Sequence, residues 1–64
     1  MDKQVLAPDD ERYLTTEELA DRFRVPVATI RQWRHKDYGP AGIRIGRHVR
    51  YSLSSVRSWE RAQS

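Results

Sequence analysis

Apolar residues in this chain change their spacing from one stretch to the next, and each spacing predicts an element. Leu19, Ala20 and Phe23 recur at helical intervals and leave Glu18, Asp21 and Arg22 facing outward. Thr15 followed three residues later by Glu18 is a capping-box pattern, and acids in a first turn suit the helix dipole. A first helix is therefore predicted over Thr16 to Phe23. Arg24-Val25-Pro26 breaks it, and Pro26 suits the first turn of a new helix, so a second is predicted from Pro26 to Lys36. Its Ile30 and Trp33 should point at the first helix, with Val25 plugging the turn. Gly39-Pro40 ends it, Gly39 as a left-handed cap.

Beyond Pro40 the period falls to two. Ile43, Ile45, Val49 and Tyr51 alternate with Arg44, His48 and Arg50 around Gly46-Arg47, which predicts a hairpin with one apolar face and one basic face. Helical spacing returns in Val56 and Trp59, so a last helix is expected from Leu53 to Arg61 with Ser52 or Ser54 as its cap. The fold class that follows is mostly α with a small β hairpin, in the order helix, helix, hairpin, helix. Two short helices joined by a tight turn are a helix-turn-helix signature. Residues 1–12 show no apolar period and hold Pro8 among acids, so they are expected to form a flexible acidic N-terminal tail, and 13–64 the domain.

Charge changes the picture more than composition does. Between Arg22 and Arg50 stand eight basic residues and one acid, Asp37, a formal +7, whereas residues 1–12 carry −2. A face this basic repels itself unless an anionic partner lies against it. A chain of 64 residues buries only about 60% of its unfolded surface, too little for a deep catalytic cleft. It has no cysteine, hence no disulfide framework, thiolate metal site or thiol nucleophile. No stretch is apolar enough to span a membrane and Met1-Asp2-Lys3 does not open a signal peptide, so a cytoplasmic protein without membrane association is expected.

The open side of the second helix, Val27, Ala28, Arg31, Gln32, Arg34 and His35, is the candidate for reading bases, because a helix fits the DNA major groove. Ala28 suits a thymine methyl and Gln32 an adenine, while Arg31 and Arg34 suit phosphates or a guanine. On the hairpin, Arg44, Arg47 and Arg50 suit a narrow minor groove or its phosphates. The bland alternatives are a solvated helix face and an edge ribbon charged against aggregation.

Other residues invite sharper readings and fail them. Trp33 and Trp59 fit the apolar spacing better than a stacking platform for single strands, Tyr51 is expected at the edge of the core and Tyr38 exposed. His35 and His48 lack metal-ligand spacing, Ser52, Ser54, Ser55 and Ser58 have no paired base, and no glycine-rich phosphate loop occurs. Neither an enzyme nor any cofactor or metal is expected.

Tyr13-Leu14-Thr15, Thr29-Ile30-Arg31-Gln32-Trp33, Ile43-Arg44-Ile45-Gly46-Arg47, Val49-Arg50-Tyr51 and Val56 to Trp59 together resemble the small MerR-like winged-helix proteins, and within them the excisionases or recombination directionality factors. The resemblance covers residues 13–61. It implies a winged helix-turn-helix whose second helix enters the major groove through Ala28, Gln32 and His35, with Arg31 on a phosphate and Arg47 at the minor groove. It further implies a factor of a phage or mobile element that does no chemistry, binds double-stranded DNA cooperatively at repeated sites, bends it, and directs an integrase towards excision. Head-to-tail self-association would set Glu17, Glu18 and Asp21, or the tail, against the basic side of the next copy. The rival readings are a small MerR-like transcription regulator and, from another class, a protein-interaction module such as an antirepressor. About five phosphate-bound side chains would give a log–log salt slope of roughly −4 to −5.

Overall fold

The computed structural model describes residues 12–63. Its elements run β1 (Tyr13–Leu14), α1 (Thr16–Phe23), α2 (Val27–His35), β2 (Ile43–Ile45), β3 (His48–Ser52) and α3 (Leu53–Ala62). The tail expected over 1–12 lies outside the described residues except for Arg12, whose carbonyl accepts from the Leu53 N–H at 2.9 Å.

Local chemistry sets the bounds of both leading helices. Thr15 Oγ1 accepts from the Glu18 N–H at 3.0 Å and Glu18 Oε1 from the Thr15 N–H at 2.9 Å, a complete capping box that starts α1 at Thr16. The helix stops because Arg24 turns left-handed, with φ 59°. Its N–H then reaches the Asp21 carbonyl at 3.1 Å while the Val25 N–H reaches that of Ala20 at 3.0 Å, the paired bonds of a Schellman motif. Pro26 stands just outside α2 as its N-cap rather than in its first turn, and its carbonyl accepts from the Thr29 N–H at 3.0 Å.

The end of α2 departs from the sequence reading. Asp37, not Gly39, is the left-handed residue that closes the helix, with φ 61°. The Asp37 N–H bonds the Arg34 carbonyl at 3.2 Å and the Tyr38 N–H that of Trp33 at 2.8 Å, a second Schellman motif. The apolar contact that accompanies such a motif is present too, because the Tyr38 ring stands edge-on to Trp33 with centroids 5.2 Å apart. Gly39, at φ 89°, then redirects the chain over the face of Trp33, where a Cβ would come within 2.9 Å of Cε3.

The sheet has three strands in the order β1-β3-β2, all antiparallel. Sequence periodicity missed β1, which is too short to show alternation; it pairs Tyr13 with Ser52 and Leu14 with Tyr51. That pairing draws Tyr51 from the expected edge into the centre, at 2% exposure, where it joins Leu19, Ala20, Ile30, Leu53 and Val56. Ser52 ends β3 and caps α3, its Oγ accepting from the Ser55 N–H at 3.1 Å. Beside this core Phe23, Trp33, Tyr38 and Trp59 pack ring against ring at 5.2–6.1 Å, so both tryptophans are half-buried structural residues.

Candidate nucleic-acid interface

Burial along α2 separates a packed side from an open one. Ile30 is buried at 1% exposure and packs with the core, and Trp33 and Val27 lean on it, half-buried. Val27 therefore does not belong to the open side where the sequence pattern put it: one helical turn from Ile30, it shares the core-facing stripe. At about 100° per residue the opposite side carries Ala28, Arg31, Gln32 and His35, all exposed. Arg34 is exposed as well but sits on the flank, where it lines a shallow groove with Asp37, Tyr38, Gly39, Pro40 and Gly42.

The hairpin is joined by the two residues Gly46 and Arg47, with Ile45 paired to His48 across the turn. Gly46 takes φ 63° with no atom within 4 Å of its would-be Cβ, so glycine is required there by conformation and not by space. Positive φ at the first turn position alone is the pattern of a type II′ turn, and it leaves Arg47 exposed at the tip.

Register overturns the expected apolar and basic faces. Ile43 lies opposite Arg50, Arg44 opposite Val49 and Ile45 opposite His48, and residues directly opposed across antiparallel strands share a face. Val49 and Tyr51 turn inward with Arg44 beside them, whereas Ile43 and Ile45 lie with His48 and Arg50 on the outer side, 48% and 49% exposed. The three wing arginines are thus not one set. Arg44 stands on the inner face beyond the edge of the core, Arg47 at the tip, and Arg50 on the outer face, where its Nη1 donates to the Val49 carbonyl at 2.9 Å. Arg22, counted in the basic block, is paired with Glu60 and is not part of this surface.

A helix whose exposed side carries Ala28, Arg31, Gln32 and His35, following a short helix across a tight turn and followed by an arginine-tipped hairpin, is the geometry of a winged helix-turn-helix. A family model described as a helix-turn-helix domain matches residues 13–64. The chain belongs to that family.

The family is DNA-binding and includes excisionase-like proteins, so the partner of this helix-turn-helix domain is DNA. No curated protein and no solved structure matches the chain. Among the described residues no helix is long and apolar enough to cross a membrane, and no group of three or more His, Cys, Asp or Glu side chains is placed to hold a metal ion. Sequence reasoning missed the outward isoleucines. The signal was available, since a two-residue turn pairs odd positions with even ones and so sends Ile43 and Val49 to opposite faces.

Proposed function

We propose that this helix-turn-helix domain is an accessory DNA-binding factor of excisionase type, one that binds repeated sites cooperatively, bends the DNA and directs an integrase towards excision. The observation that carries the DNA-reading part is the open side of α2, where Ala28, Arg31, Gln32 and His35 stand together in exposed positions on one helical face. A helix presents such a row to base edges in the major groove, with Gln32 suited to adenine and Arg31 to a phosphate or guanine. Arg47 at the wing tip approaches the minor groove, where narrow A·T tracts concentrate negative potential. Arg34, on the flank, and Arg44 serve phosphates.

The accessory role rests on scale. A single small module buries limited DNA surface and makes few base contacts, so tight binding needs neighbours on adjacent sites. The exposed acids Glu17 and Asp21 on α1 give one copy an anionic edge for the basic side of the next, a head-to-tail contact that does not close into a ring. Glu18 contributes less, because its carboxylate is engaged in the capping box. A small transcription regulator would use the same face, and absence of cooperativity or bending would favour it.

The test is a gel-shift titration on DNA from the protein's own genomic region at two salt concentrations, with an Arg31→Ala/Arg47→Ala double variant alongside. Stepwise, cooperative shifts lost in the variant are expected. A single non-cooperative shift sinks the accessory reading and leaves the regulator, while binding to a protein partner that survives both substitutions points to an interaction module.

A further inference from the structure

The outer face of the hairpin has an apolar centre and a basic rim. Ile43 and Ile45 are two of the chain's three isoleucines, and only Ile30 is in the core. In so small a domain, leaving both about half exposed on one side of a strand forgoes burial that the fold could use. Strand propensity accounts for branched residues in β2 but not for their turning away from Tyr51. Around them stand Arg47 at the tip, with His48 opposite Ile45 and Arg50 opposite Ile43.

We propose that Ile43 and Ile45 form an apolar contact face for the deoxyribose walls of the DNA minor groove, beside the entry point of Arg47. This rests on the DNA-binding reading above and extends it to a contact that carries no charge. A strand pair with backbones about 4.8 Å apart, side chains added, is too broad to sink into a groove about 6 Å wide. Only the tip enters, and the flank of the hairpin rides along the groove wall. That wall is C–H surface edged by phosphates, the complement of isoleucines edged by Arg47, His48 and Arg50. The face is also continuous with the arginine tip, so DNA that reaches Arg47 reaches Ile45 two positions away.

The contact is tested in the full chain with Ile43→Thr/Ile45→Thr, which keeps the branched Cβ that suits a strand and removes apolar surface. Melting curves check that the fold is retained, as expected for side chains outside the core. Affinity for a labelled duplex from the protein's genomic region is then measured at two salt concentrations, beside Arg47→Ala. The expected result is a loss of roughly tenfold in affinity with an unchanged salt slope, because no counterion-releasing contact has been removed. Arg47→Ala should instead flatten the slope. Unchanged affinity overturns the proposal. So does a loss that comes with a flattened slope, which would mean action through the neighbouring arginines, or a variant altered only in sedimentation, which would make the face a contact between copies. Failure of the wild-type chain to bind any duplex would remove the DNA-binding reading itself, a result distinct from failure of this contact alone.

Discussion

Arg22 of α1 and Glu60 of α3 meet fork to fork, Nε donating to Oε2 at 2.7 Å and Nη2 to Oε1 at 3.0 Å. The pair ties the first helix to the last. The bond from Arg22 holds the Glu60 carboxyl below its ordinary range, with partial burial opposing and the charges of Arg22 and Arg57 assisting, and the same bond raises Arg22.

A depressed carboxyl value fixes the sign of the pH dependence. The folded state holds the Glu60 proton more weakly than the unfolded state, so the stabilisation is present above the ordinary carboxylate range and is lost as pH falls through the folded value. Both side chains are about a third exposed, so screening keeps the contribution to no more than about 1 kcal/mol. Urea melts of the wild type and Glu60→Gln should differ by that amount at neutral pH and converge in acid. A gap that persists well below the carboxylate range would locate the effect elsewhere.

Arg24 and Asp37 close their helices in left-handed conformations that non-glycine residues adopt at a cost of about 1–2 kcal/mol. Arg24→Gly should therefore stabilise the domain by about 1 kcal/mol, a rise of about 4–8 °C in a domain of this size. Asp37→Gly should help less, since Asp tolerates this region better. Thermal melts followed by circular dichroism decide; a fall in Tm for Arg24→Gly would mean that the arginine side chain contributes more than its backbone costs.

Gly39 and Gly42 differ from Gly46 in having neighbours. A Cβ on Gly42 would lie 2.8 Å from Tyr51 Cε2 and one on Gly39 2.9 Å from Trp33 Cε3, with the φ of Gly39 also positive. Alanine at either position should destabilise by about 1–3 kcal/mol through displaced rings. Near-UV circular dichroism would register the loss at Gly39 as a change in the tryptophan environment, whereas Gly46→Ala should leave those signals alone and only strain the turn.

Salt dependence tests the wing arginines. The bond from Arg50 Nη1 to the Val49 carbonyl leaves this arginine its charge and its other N–H donors, so it stands with Arg31, Arg34, Arg44 and Arg47 as a phosphate contact, and five such side chains give an expected slope of roughly −4 to −5. Arg47→Ala should reduce its magnitude by about 0.9. Arg50→Ala should reduce it by a similar amount, and titrations across several salt concentrations that show no change for Arg50→Ala would take Arg50 out of the DNA contacts.

Where the fold was legible, a local signal marked it. The Thr15–Glu18 box fixed the start of α1, Pro26 the start of α2 within one residue, and of the two candidate caps of α3, Ser52 and Ser54, the structure uses Ser52. What escaped was set by pairing at a distance. Nothing in Tyr13-Leu14 announces a strand, because two residues are too few to alternate and their partners, Ser52 and Tyr51, lie far along the chain in β3. The isoleucines alternate just as buried ones would, and only the register through Gly46-Arg47 turns them outward. On α2 the helical period found the exposed row, but Val27 was placed with it although it stands one turn before Ile30 on the side that packs against the core.

The clasp between the Arg12 carbonyl and the Leu53 N–H joins the residue just ahead of β1 to the first turn of the last helix. The strand that completes β1 and three of the buried core side chains, Tyr51, Leu53 and Val56, all come from the stretch that follows the wing tip. A chain cut before Leu53 would keep Leu19, Ala20, Ile30 and Tyr51 but lose Leu53 and Val56, leaving the core open on the side that α3 covers.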